Sequence, residues 1–149
     1  MSEKRKKLIS VLICIIMLLP MLPAFADSTI ILDKINLTGM ITPEAFQTVR
    51  KPSISAGSGS KLITVSAGQW YRSYDKEPVA ADYDKFDSGT EYYYTFYVKV
   101  ASNCVISSDC VFTLNGAEIP RENIDYSLRT VYLKTDDFLT EGTKKQFLD

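Results

Sequence analysis

Residues 92–100 alternate at every second position: Tyr92, Tyr94, Phe96, Val98 and Val100 fall on one side, and Tyr93, Thr95, Tyr97 and Lys99 on the other. A period of two is the side-chain spacing of a β-strand, so the segment predicts a strand whose first set faces a core. Cys110-Val111-Phe112-Thr113-Leu114 obeys the same rule. Asn115-Gly116 then supplies the two residues that a type I′ hairpin needs at positive φ, leading into Ala117-Glu118-Ile119. Residues 29–37, rich in β-branched side chains and closed by Thr38-Gly39, predict a first strand; residues 61–66, 69–72 and 128–134 predict three more. Residues 44–51, bracketed by Pro43 and Pro52, read as irregular, and the polar stretch 73–89 is the longest connection. About seven short strands with turn signals between them, and no amphipathic helix, predict an all-β sandwich.

One apolar run does not fit this pattern. Residues 8–22 are almost wholly hydrophobic, follow Lys4-Arg5-Lys6-Lys7, and precede Ala24-Phe25-Ala26. A basic start, an apolar centre and small residues before the cut make a helical secretory signal, with cleavage expected before Asp27. The run is interrupted by Pro20 and falls short of the about twenty apolar residues that a membrane span requires. Cys14 reads as a small hydrophobe within it, because Ile13 stands where a lipidation signal needs a small residue. The expected organisation is a signal peptide at 1–26, a sandwich domain at 27–140 and a tail at 141–149. The expected location is secreted or associated with the cell surface, with the membrane met only through the signal before cleavage.

Removing the signal takes four of the seventeen basic residues and one of the eighteen acidic ones, leaving a net charge of −4. An acidic balance without a basic stretch makes nucleic acid and anionic membranes poor partners. Histidine is absent, which removes the general base of Ser-His-Asp and Cys-His catalysis and the commonest zinc ligand. A carboxylate pair can still serve a glycosidase, but the acidic residues here are scattered. No catalytic residue, cofactor or metal is expected.

Cys104 and Cys110 are the two cysteines beyond the signal. A tight turn over the five residues between them would bring their Cα atoms within disulfide reach, and export of the chain makes pairing reasonable. The competing reading is two small hydrophobes in adjacent strands. Asp82, Asp84, Asp87, Ser88, Thr90 and Glu91 gather oxygen ligands in one stretch, but Lys85 and Phe86 intervene and no glycine occupies the sixth position of an EF-hand. A polar turn with Phe86 anchored inward and Gly89 at positive φ accounts for it. Gly57-Ser58-Gly59-Ser60-Lys61 lacks the full phosphate-loop pattern and reads as a flexible connection. Tyr93 and Tyr97, on the face opposite the predicted core, are the candidate ligand-binding residues, since ring stacking is the most available source of affinity on an acidic, non-catalytic surface.

Pro43 and Pro52 after a first strand, Trp70, Phe86-x-x-Gly89-x-x-Tyr92, Phe112-x-Leu114-Asn115-Gly116 and a closing strand at Tyr132 occur in that order. In this the chain resembles the immunoglobulin-like repeat module of extracellular Gram-positive bacterial surface proteins. The resemblance spans roughly residues 29–138 and implies an immunoglobulin-like β-sandwich of about seven strands at the cell surface; its marks are structural, and none is catalytic. The chain departs from the usual setting by carrying a single copy. The function expected is a secreted, non-catalytic module for adhesion, spacing or cell-surface assembly, its partner a protein or glycan at the cell surface. The alternative is a carbohydrate-binding domain using exposed Tyr and Trp.

Overall fold

A computed structural model describes residue 3 and residues 28–57 and 61–141. The signal segment 1–26 lies outside the described residues apart from Glu3, and the tail 141–149 apart from Glu141. In chain order the strands are β1 (Ile30–Thr38), β2 (Ser55–Ala56), β3 (Ile63–Val65), β4 (Gln69–Arg72), β5 (Pro78–Val79), β6 (Glu91–Val100), β7 (Cys104–Leu114), β8 (Ala117–Glu118), β9 (Ile124–Asp125), β10 (Thr130–Lys134) and β11 (Phe138–Leu139). They form two sheets, so the domain is an all-β sandwich.

The smaller sheet runs β2-β1-β7-β8, with β1 and β7 parallel; the larger runs β5-β4-β6-β10-β9, with β3 and β11 also paired to β6. β6 is the centre of the larger sheet because it is long enough to hold two partners along each edge. One edge takes β4 opposite 92–95 and β3 opposite 98–100; the other takes β11 opposite 91–92 and β10 opposite 95–99. All five residues of its predicted core set, Tyr92, Tyr94, Phe96, Val98 and Val100, are buried. They pack with Ile35, Leu37, Ile106 and Phe112 of the smaller sheet and Val131 and Leu133 of β10. Trp70 closes one end of this core, edge-on to Phe86 at 5.3 Å and tilted to Tyr94 at 5.1 Å, its indole N–H donating to the Arg50 carbonyl at 2.8 Å.

The segment between Pro43 and Pro52 is irregular, as its sequence predicts, and is tied to the long connection. Val49 N–H donates to the Asp84 carbonyl at 2.9 Å, and Asp82 N–H to that of Val49 at 2.8 Å. Phe86 is anchored inward and Gly89 takes φ +68°. The acidic side chains of this loop go to separate tasks: Asp84 accepts from Ala80 N–H at 2.8 Å, and Asp87 lies at the Tyr92 hydroxyl. Among the described residues, no group of three or more Cys, Asp or Glu is placed to hold a metal ion. Asn115 (φ +50°) and Gly116 (φ +86°) form the two-residue hairpin between β7 and β8.

The expected Cys104–Cys110 disulfide is corrected by the structure: both thiols are free and buried, and they are not at bonding distance. The reason is that residues 105–109 make no turn. Val105 and Ile106 pair with Ile31 and Leu32 of β1, so the chain continues as one strand and sets the cysteines along it instead of across from one another. The excess length is taken up as a bulge in which residues 107–110 stand opposite Asp33 alone, before Val111 pairs with Lys34. Burial, helped by the Asp33 carboxylate and opposed by Arg121, pushes the Cys110 thiol up to about 11.

Candidate functional site on the outer face of the larger sheet

The residues that alternate away from the core on β6 are covered unevenly. Tyr93 and Thr95 are only 8% and 5% exposed, although they alternate away from the core and neither sheet formed by the described residues lies over them, whereas Tyr97 is 50% exposed. Neighbours in their own sheet cause the difference. Tyr71, directly opposite Tyr93 on β4, stacks on it at 5.4 Å and 13°, and the Lys134 ammonium approaches the Tyr93 ring to 4.3 Å. Tyr93 therefore stands beneath a stacked ring and a cation. Burial, with Tyr132, Tyr71 and Asp137 nearby, raises its hydroxyl pKa above the ordinary tyrosine value.

Tyr97 is paired with Tyr132 of β10, their rings 5.1 Å apart and inclined at 59°. Asp125 of β9 is the next residue across, opposite Tyr132. Between the Tyr71–Tyr93 row and the Tyr97–Tyr132 row lies a polar one, in which Thr95 has Gln69 on one side and Lys134 on the other. Successive rows are two residues apart along the strand, about 6.6–6.8 Å. The outer face is thus banded, with rings on either side of a hydrogen-bonding strip.

A depression of about 540 Å³ opens over this strip, walled by Tyr71, Tyr97 and Tyr132 and floored by Thr95, with Gln69 and Asp125 on its lining. It exists because β3 and β4 do not meet. Ser66 breaks the ladder, its N–H donating to the Tyr97 carbonyl at 2.9 Å while its hydroxyl accepts from Tyr97 N–H at 3.1 Å. The chain then passes β6 through Ala67 and Gly68, the smallest side chains available. Gly68 comes so close that an added Cβ would lie 2.8 Å from the Thr95 carbonyl carbon and closer still to its oxygen. Its N–H donates to the Tyr94 hydroxyl at 2.7 Å.

Compared with known proteins, the chain matches no family model, no curated protein and no solved structure. Its chemistry is therefore read from the residues alone.

Two polar groups in the depression are held ready. The Gln69 amide spends both hydrogens on backbone, donating to the Val79 carbonyl at 2.7 Å and the Trp70 carbonyl at 3.1 Å. That fixes the side chain and leaves its oxygen as an acceptor. The Thr95 hydroxyl has no hydrogen-bond partner among the described residues, and it is not sealed from solvent.

Of the sequence-expected residues, Tyr97 contributes a half-exposed ring to the depression. Tyr93 lies on the same face but is covered, so the two do not offer one continuous platform. Cys104 and Cys110 are not part of the site. Sequence reasoning missed Tyr132, Gln69 and Asp125 as site residues: they come from other strands and meet Tyr97 and Thr95 only through register, which a predicted strand over 128–134 does not reveal. A second cleft of about 230 Å³, between Met40, Leu114, Ile119 and Phe138, has Glu118 and Asp136 on its lining. The Asp136 carboxylate there accepts a hydrogen bond from the Asn123 amide at 2.8 Å.

Proposed function

We propose that the protein is a secreted, non-catalytic extracellular module for adhesion or cell-surface assembly, and that it meets its partner through the outer face of the seven-stranded sheet. The observation that carries this reading is the pair of partly exposed rings, Tyr97 and Tyr132, beside a depression floored by an unpartnered Thr95 hydroxyl. Aromatic groups left open next to polar ones are the usual anchors of recognition. The signal-like start and the resemblance to surface repeat modules support the location, and the absence of histidine supports a non-catalytic role.

The test is retention of the purified protein on producer cells and on immobilised host matrix proteins. Wild-type protein is expected to be retained, and a Tyr97→Ala/Tyr132→Ala double variant with an unchanged melting profile is expected to be washed away. Equal retention of both proteins, or none of either, would refute this use of the face.

A further inference from the structure

We propose that the depression floored by Thr95 is a binding site for a neutral glycan, with Thr95 and Gln69 engaging sugar hydroxyls and Tyr97 and Tyr132 packing against the C–H face of the sugar ring. This rests on the reading above, which assigns the face but not the chemistry of its ligand.

The first argument is the banding. A saccharide combines two characters in one ring: C–H groups on its faces and hydroxyls around its rim. The site combines the same two at sheet spacing, with the Tyr97–Tyr132 pair next to the Gln69–Thr95 strip. The inclination of 59° between the two rings lets one present its face while the other presents its edge. A volume of about 540 Å³ falls within the about 300–1,000 Å³ of small-ligand sites.

The second argument is the hydrogen-bonding state of the floor. Thr95 is 5% exposed, and its hydroxyl has no partner among the described residues yet reaches solvent, so it is open to a ligand's hydroxyl without breaking a bond within the protein. The pinned Gln69 oxygen can only accept, and the Asp125 side chain adds further acceptor oxygens to the lining. Sugar hydroxyls donate and accept, so one ligand can serve all three groups. A phosphate or carboxylate cannot, because it brings acceptors to acceptors. The nearest cation in register, Lys134, is drawn onto the Tyr93 ring. The site is therefore selective for uncharged polyols over anions.

The test uses purified protein in affinity electrophoresis through gels containing mannan, dextran, hydroxyethyl cellulose or glycol chitin, with heparin as the polyanion. Retardation is expected in at least one neutral gel and not with heparin. Thr95→Val keeps the shape of the side chain and removes the hydroxyl; it is expected to weaken binding about tenfold, the loss of one hydrogen bond, with no fall in melting temperature. Tyr97→Ala is expected to abolish retardation, while Tyr74→Ala, an exposed ring elsewhere, leaves it unchanged. Retardation by heparin alone, or neutral binding indifferent to both Thr95→Val and Tyr97→Ala, overturns the proposal. No retardation in any gel while cells still retain the protein through Tyr97 and Tyr132 overturns the glycan assignment and leaves the adhesion reading standing. Loss of both kinds of binding overturns the two together.

Discussion

Replacing Gly68 by alanine adds one methyl group at the point where the chain between β3 and β4 passes closest to β6. That Cβ would sit 2.8 Å from the Thr95 carbonyl carbon and 2.9 Å from Tyr94 Cε1, where ordinary contact begins at 3.4 Å. The carbonyl carbon alone is thus 0.6 Å too near, and it belongs to the central strand, which has partners on both edges and cannot give way cheaply. The chain at Gly68 must lift instead, and its hydrogen bond to the Tyr94 hydroxyl is strained or lost. Overpacking of this kind costs about 1–3 kcal/mol, and the hydrogen bond adds about 1 kcal/mol, so Gly68→Ala is expected to destabilise by about 2–4 kcal/mol. Gly57→Ala is the matched control. Nothing lies within 4 Å of its Cβ position, and the same change there is expected to be neutral or to stabilise by up to about 1 kcal/mol through the unfolded chain. Urea unfolding followed through the single tryptophan, buried Trp70 two residues from Gly68, reads both variants directly. A Gly68→Ala midpoint matching that of Gly57→Ala at equal slope would mean that β4 does not approach β6 as described, and the origin assigned to the depression would fall with it.

Phe96→Ala is expected to cost about 3–5 kcal/mol, because Phe96 is fully buried, whereas Lys99→Ala on the opposite, exposed face should change stability by less than about 0.5 kcal/mol; equal effects in denaturant unfolding would put the strand in the wrong register. Cys104 and Cys110 are expected to resist iodoacetamide in the folded protein and to be alkylated in denaturant without prior reduction, as peptide mass mapping would show; a requirement for reductant would restore the disulfide. Because burial raises the Cys110 pKa from 9.0 to about 11, the folded state penalises the thiolate. Its contribution is therefore complete below pH 9 and lost as pH climbs towards 11, so a Cys110→Ala variant should show a shallower alkaline decline than wild type. N-terminal sequencing of exported protein is expected to begin at Asp27, and finding Met1 or Ser2 would remove the signal assignment.

The strongest signals in the chain were local ones, and these the structure reproduces. The alternation across 92–100 placed every core residue of β6, Asn115-Gly116 predicted the β7–β8 hairpin, and Phe86-x-x-Gly89 predicted a loop anchored at one residue and turned at another. Each depends on the side-chain period of a strand or on the φ that a residue type tolerates, both of which are properties of a few adjacent residues. The all-β class follows from repeating such signals along the chain.

Pairing was beyond their reach. Residues 104–109 carry no period that distinguishes a turn from a strand, and only the parallel register with β1 extends them as β7 and separates the two cysteines. The two-residue strands β2, β5, β9 and β11 have too little sequence of their own to announce themselves and exist because a longer neighbour offers them hydrogen bonds. The same holds for the site. From the sequence Tyr93 and Tyr97 are equivalent, two outward rings on one strand, yet Tyr71 and Lys134 cover the first while Tyr132 leaves the second open. Alternation along a strand decides which face a side chain takes; what stands beside it on that face is decided by register between strands distant in sequence, and that is a property of the folded sheet alone.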